Sequence, residues 1–342
     1  MPTSLNRIKL WSIGGGKGGI GKSLVTLGLG VALARLGKKV ILIDGDLGGA
    51  NLHTLMGVRY PNVTLEHFLT KKVTRLEDTI IETAVEGIGL ICGADDMIGS
   101  ANPTFAQKIR LLQQIEELPA QYVLFDQGAG TSFNTLDFFN FSGGKITLFT
   151  SQATSLQNAY GFIKSALYRK LSRDFAKDDE VLQLLYQGGE AGNGNNFSKI
   201  QDLLDYFQDA DPTKYARLTQ SLWDFQLFLV VNMVRSNADL KAPEIIRSVC
   251  RDFLNIQPEI MGQVLFDSGV DTAISQMVPF PLYQKKSKAM VGLDQIALKL
   301  VTQSRLPRVS PRGAREASEE DDLTLDTIIT HPSRSWSGNR GG

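Results

Sequence analysis

Short, almost continuously apolar runs alternate along this chain with longer stretches of three-and-four spacing. The runs fall at residues 8–13, 40–43, 88–91, 122–125, 146–149, 228–231 and 261–265. A strand that is apolar at consecutive positions needs cover on both faces, and intervening helices supply that cover when they act as crossovers. Helical periodicity is clear at 23–35, 105–118, 155–171 and 293–301, each with an apolar stripe, and residues 242–253 also read as a helix. The pattern predicts an α/β fold with a doubly wound, mostly parallel sheet of about seven strands flanked by helices.

Two segments break the alternation. Residues 172–222 are polar and carry a glycine- and asparagine-rich run at 188–196, which reads as a helical insertion with a flexible hinge. Residues 305–342 place basic Arg305 and Arg308 before acidic Glu319, Glu320, Asp321 and Asp322 and close on a Ser/Gly-rich end, the composition of a disordered tail. The expected organisation is therefore one domain over 1–304 followed by that tail.

Composition narrows the class. The 42% of hydrophobic residues and 21% of charged ones suit a chain that buries a large core. Lys+Arg and Asp+Glu balance at 36 each, so no global field recruits nucleic acid, and DNA is an unlikely partner. The cluster Lys285, Lys286 and Lys288 reads as a solvated loop. The two cysteines, Cys92 and Cys250, are far apart and outside CxxC spacing, which argues against a disulfide framework or a zinc site and for the cytoplasm. No run approaches the ~20 apolar residues that span a bilayer.

Chemistry concentrates at four places. Gly16-Lys17-Gly18-Gly19-Ile20-Gly21-Lys22-Ser23 follows the first strand and opens the first helix, so backbone N–H groups and a helix N-terminus converge on a polyphosphate. Within this phosphate loop Gly21 permits the turn, Lys22 reaches the β- and γ-phosphates, the Ser23 hydroxyl ligates Mg²⁺, and Leu24 follows as the loop enters the helix. Lys17 is a second cation that points away from the loop's own nucleotide. The second strand ends in Asp44-Gly45-Asp46, two carboxylates at the carboxyl edge, one suited to the Mg²⁺ shell and the other to the attacking water. Another strand ends in Asp126, a Mg²⁺-holding position, before the flexible Gly128-Ala129-Gly130. Asn232 ends a later strand, where a capping or turn role and base recognition are both open.

The loop sequence GKGGIGKS resembles the deviant Walker A motif of MinD/ParA-type ATPases. That resemblance spans residues 8–301 and implies ATP and Mg²⁺ as ligands and slow hydrolysis. It also implies an ATP-dependent homodimer in which Lys17 crosses to the other subunit's phosphates. On the same ground Asp46 becomes the residue that positions or activates the attacking water, Asn232 reads the adenine edge, and Asp267 lies near the base. The segments Asp126-Gln127-Gly128-Ala129-Gly130-Thr131-Ser132 and Thr154-Ser155-Leu156-Gln157-Asn158-Ala159-Tyr160-Gly161-Phe162-Ile163-Lys164 are closest to the flagellar-number regulators of the FlhG/FleN branch. That branch implies a protein partner such as an SRP-type flagellar GTPase or a polar regulator, and a place at the membrane or the cell pole. The chain departs from the branch in having no Asp-Gln-Ala activator motif, in Gln127 where an apolar residue is usual, and in Ser151-Gln152-Ala153 before Thr154.

Rival functions leave weaker traces. Membrane attachment calls for an amphipathic helix with a basic polar face, and none is evident. A ParA-like partitioning role needs a basic surface. An iron–sulfur carrier needs cysteines beside the nucleotide switches, whereas Cys92 and Cys250 read as small buried apolar residues. A metabolic amidotransferase or synthetase needs a dedicated substrate pocket, for which no motif speaks.

Overall fold

The computed structural model describes residues 8–93, 103–187, 199–283 and 287–302. The hinge run, the tail beyond 302, Lys285 and Lys286 lie outside them. In chain order the first half contains β1 (Lys9–Gly14), α1 (Lys22–Arg35), β2 (Val40–Gly45), α2 (Leu52–Leu55), α3 (Leu65–Leu69), β3 (Ile80–Glu82), β4 (Ile88–Ile91), α4 (Phe105–Ile115), β5 (Tyr122–Gln127), α5 (Phe133–Phe141) and β6 (Gly144–Phe149). The second half contains α6 (Ala153–Asp174), α7 (Asp179–Gln187), α8 (Ile200–Ala210), α9 (Pro212–Asp224), β7 (Leu227–Val234), α10 (Ala242–Leu254), β8 (Glu259–Leu265), α11 (Ser268–Ser275), α12 (Phe280–Tyr283) and α13 (Lys288–Thr302).

These strands form one 8-stranded sheet in the order β3-β4-β2-β5-β1-β6-β7-β8. All neighbours are parallel except β3, which runs antiparallel to β4. β3 is the strand beyond the expected seven. At three residues it has no apolar run to announce it, and it exists because Ile80 and Ile81 pair across to Ile91 and Leu90.

Strand alternation divides the core. Trp11, Ile13, Leu42, Leu124, Ile146, Leu148, Phe228 and Val230 face one side, beneath α1 and α13. Leu10, Ile41, Ile43, Val123 and Phe125 face the other side with the residues of α3 and α4. Phe149, Leu229 and Val231 share that second side with α6 to α10. Helix α1 differs from the stripe expected of it: residues 25–33 are buried without a break, because the helix is wedged between the sheet and α13. A Cβ on Gly28 would lie 2.4 Å from Leu293 Cδ1 and one on Gly30 2.8 Å from Leu42 Cδ2, so small residues set that approach.

The polar stretch 172–222 contributes Val181, Leu185, Leu203, Phe207, Leu218 and Leu222 to the core shared with Phe149 and Leu229. Its helices are thus roofed onto the sheet through α6. At β8, the last strand in the sheet order, the Lys299 ammonium donates to the Met261 carbonyl at 2.7 Å, and Gly292 sits so close to the Gln263 carbonyl that a Cβ would lie 2.1 Å away. Between the helices, Lys108, Arg169 and Arg173 converge on the fully buried Asp137 at 2.8, 2.9 and 3.1 Å. Burial raises this carboxyl's pKa, but the Arg173, Arg169 and Lys108 charges more than offset it and hold it below the usual range. α4, α5 and α6 are pinned together at that point.

Candidate functional site: a phosphate loop between two carboxylate strands

β1 lies between β5 and β6 at the centre of the sheet, and the loop that leaves its carboxyl end occupies the position where open α/β sheets bind ligands. Gly19 and Gly21 adopt φ of 77° and 87°, conformations that a side chain resists, and they fold residues 15–21 into a cradle opening α1. Gly16 lies against α6, where a Cβ would come 2.2 Å from the Asn158 carbonyl oxygen. The site thereby acquires a wall from α6 that no loop motif announces.

Lys22, at the first position of α1, is 8% exposed, with its Nζ 3.4 Å from the Lys17 carbonyl oxygen. Burial lowers its pKa although Asp126 and Asp46 act in the opposite direction. Ser23 and Leu24 are half-buried one and two residues on, and the Ser23 hydroxyl bonds the Asp126 carboxylate. Thr26, one turn further, donates to Asp126 Oδ1 at 3.1 Å. Thr26 was not legible as a site residue, because a threonine inside an apolar helix carries no motif.

Asp44 and Asp126 are register partners on neighbouring parallel strands, 1% and 2% exposed. Burial first, then the Asp44 charge, pushes the Asp126 carboxyl up to about 7; burial first, with Asp46 adding a smaller push, raises Asp44 to about 6. Two buried carboxylates that repel one another, beside a buried lysine, form a donor set that favours a cation. Both Asp44 oxygens also accept backbone bonds, from Asp46 N at 3.1 Å and Leu52 N at 2.9 Å. Asp44 therefore shapes the loop that presents Asp46.

Asp46 is only partly buried and faces Gly128, on which a Cβ would lie 3.2 Å from Asp46 Oδ1. A polar cavity of about 170 Å³ opens here, lined by Asp46, Gly128, Ser132, Asn134, Thr135 and Phe138 among others. It has room for water beside the half-exposed carboxylate. Lys17 is exposed at the tip of the loop, and Gly18 approaches Ala129.

Two predicted residues sit at the margin. Asn232 donates from Nδ2 to the Ile20 carbonyl at 2.8 Å and stands within 2.5 Å of a Cβ built on Gly21, so it braces the phosphate loop from behind. Asp267 caps α11 through Gly269 N at 3.0 Å and accepts from the Ser287 hydroxyl at 2.7 Å, and those bonds occupy its carboxylate. Cys92 and Cys250 are both wholly buried, far from ligand-binding exposure.

This arrangement is that of a nucleotide-binding P-loop domain. Residues 11–280 match the CobQ/CobB/MinD/ParA nucleotide binding domain, and the chain belongs to that family. Among individual relatives, the antiactivator FleN of Pseudomonas aeruginosa is 27% identical over 209 residues, covering 60% of this chain and 71% of FleN. The flagellum site-determining protein YlxH of Helicobacter pylori is 30% identical over 163 residues, covering 46% of this chain and 53% of YlxH. Among solved structures, the septum site-determining protein MinD of Pyrococcus horikoshii, complexed with Mg-ADP, superimposes with a TM-score of 0.58 at 21% identity, over 86% of this chain and 96% of that one. A ParA family ATPase from Chlorobium tepidum shares the fold at a TM-score of 0.58 and 12% identity.

Proposed function

We propose that this chain is a Mg²⁺-dependent, slowly hydrolysing ATPase whose nucleotide state controls a homodimer. The observation that carries the reading is the convergence of Lys22, Ser23 and the mutually repelling Asp44 and Asp126 beneath a glycine loop in which Gly19 and Gly21 take positive φ and Gly16 leaves no room for a Cβ. Mg²⁺ bound there would neutralise the two carboxylates' charge. The Ser23 hydroxyl would hold it directly, and Asp126 and Asp44 through its water shell. Lys22 and the N–H groups of Gly16, Gly18, Gly19, Ile20, Gly21 and Leu24 neutralise phosphate oxygens. Asp46, beside the polar cavity, orients a water and takes its proton. Lys17, exposed at the loop tip, reaches the phosphates of a second copy. Asn232 braces the loop through Ile20 and is assigned to reading the adenine edge with its carboxamide.

FleN and YlxH are the relatives that favour a role in placing or numbering flagella or another polar assembly, through a protein partner at the membrane or pole. Calorimetry with Mg-ATP tests the nucleotide site, and light scattering after size exclusion tests the dimer. Lys22→Ala loses binding, whereas Lys17→Ala keeps binding and loses ATP-dependent dimers. A Lys17→Ala protein that dimerises normally would remove the cross-subunit role. Counting flagella in cells lacking the gene tests the biological assignment.

A further inference from the structure

A second polar system lies on the opposite face of the sheet from Asp126. Gln127, the last residue of β5, is 2% exposed, and its Nε2 donates to Ser12 Oγ on β1 at 3.1 Å. Ser12 shares a short hydrogen bond with Ser142 Oγ at the C-terminal cap of α5, and Ser142 Oγ also donates to the Phe138 carbonyl at 3.1 Å. The other end of the Gln127 amide, Oε1, is buried with no partner. One end of a buried amide is therefore satisfied and the other is not. Reversing its oxygen and nitrogen would leave that imbalance in place.

The position of this amide gives the imbalance meaning. Gln127 joins a rigid central strand to Gly128, which touches Asp46, and to Gly130, whose φ is +91°. From there the chain enters α5 through the Ser132 cap and returns at Ser142 to the same Ser12–Gln127 bond. Residues 128–142 thus form a closed circuit with Gln127 at its stem. Gln127 is the last strand residue before Gly128–Gly130, so its side chain anchors the fixed end from which that glycine segment departs. A buried polar end without a partner carries a desolvation cost only in the arrangement that leaves it unpaired.

We infer that Gln127 is a positioning residue of the Gly128–Gly130 switch, whose half-partnered amide disfavours the resting arrangement and so raises the preference for nucleoside triphosphate over diphosphate. Ser12 acts in the opposite sense, since its bond steadies the resting arrangement. An apolar residue at this position would pack without the imbalance and bias neither state. The role rests on the nucleotide-switch reading above, because it acts only through a nucleotide-dependent loop.

The test uses the full chain with Mg-AMPPNP and Mg-ADP, reading both affinities by calorimetry and thermal stability without nucleotide. Gln127→Leu, similar in volume, is expected to melt higher without nucleotide and to lose about tenfold in the ratio of AMPPNP to ADP affinity, equivalent to about 1.4 kcal/mol. Ser12→Ala, which strips the amide of its remaining partner, is expected to melt lower and to shift the ratio toward AMPPNP. A purely structural role moves the melting temperatures and leaves the ratio alone, so ratios within twofold of wild type in both variants overturn the inference. Should Gln127→Leu not fold, Ser12→Ala decides by itself. A wild-type chain that binds neither nucleotide fails the parent reading, an outcome distinct from binding with an unchanged ratio.

Discussion

Replacing Asp126 by asparagine should make the nucleotide-free protein more stable while removing its response to Mg-nucleotide. The Asp126 carboxyl is raised from 3.8 to about 7, by burial first and by the Asp44 charge second. A raised acid binds more protons in the folded than in the unfolded chain between those two values. Stability from this group therefore falls as pH rises from about 4 to about 7 and stays low above that. Roughly three pKa units correspond to about 4 kcal/mol at 1.36 kcal/mol per unit. Asp44, itself raised to about 6, titrates with Asp126 as a pair, so part of that cost persists when only one is neutralised. A gain of about 2–3 kcal/mol at pH 8 is the working figure. The amide oxygen of asparagine still accepts from Thr26, which keeps packing intact. Urea unfolding at pH 5 and pH 8 in EDTA, repeated with Mg-ATP, reads both effects. Wild type should lose stability between the two pH values relative to the variant, and with Mg-ATP it should recover while the variant does not. A variant no more stable than wild type at pH 8 in EDTA, or stabilised equally by Mg-ATP, would refute the reasoning.

Three further outcomes follow from the same geometry. Lys145, 3% exposed with the Ser142 carbonyl 2.8 Å from its Nζ, is lowered to about 7, chiefly by burial. The unfolded chain then binds the extra proton between pH 7 and 10.5, so wild-type stability rises across that window. Lys145→Met should flatten the rise and gain up to about 4 kcal/mol near pH 7 in denaturant titrations. Asp137→Ala leaves Lys108, Arg169 and Arg173 without their common carboxylate and should cost about 3–5 kcal/mol by urea unfolding. Gly16→Ala drives a methyl into the Asn158 carbonyl and should weaken Mg-ATP binding in calorimetry by about tenfold, with about 1–2 kcal/mol of lost stability.

Much of the central sheet was readable because strands buried on both faces leave uninterrupted apolar runs, and the strand edges that carry Asp44 and Asp126 lie directly after such runs. What escaped was set by tertiary contact. β3 borrows its regularity from β4, and α1 loses its amphipathic stripe because α13 covers the face that would otherwise meet solvent. Thr26 belongs to the site only because α1 brings it opposite Asp126. Asn158 belongs to it only because Gly16 lets α6 approach. Gln127 was visible as a departure from its relatives, but its partner is Ser12, 115 positions away, a distance at which no local pattern speaks.

The 22 residues of α6 run from the contact with Gly16, near one end, to Phe175, packed with α7 and α9, just past the other. At 1.5 Å per residue that is a rod of about 33 Å. Tilting it by about five degrees at the phosphate end sweeps the far end through about 3 Å, by the same rise per residue. A displacement of that size is comparable to a change of side-chain register, so a tilt of α6 at its Gly16 contact would be carried into the remote helical roof.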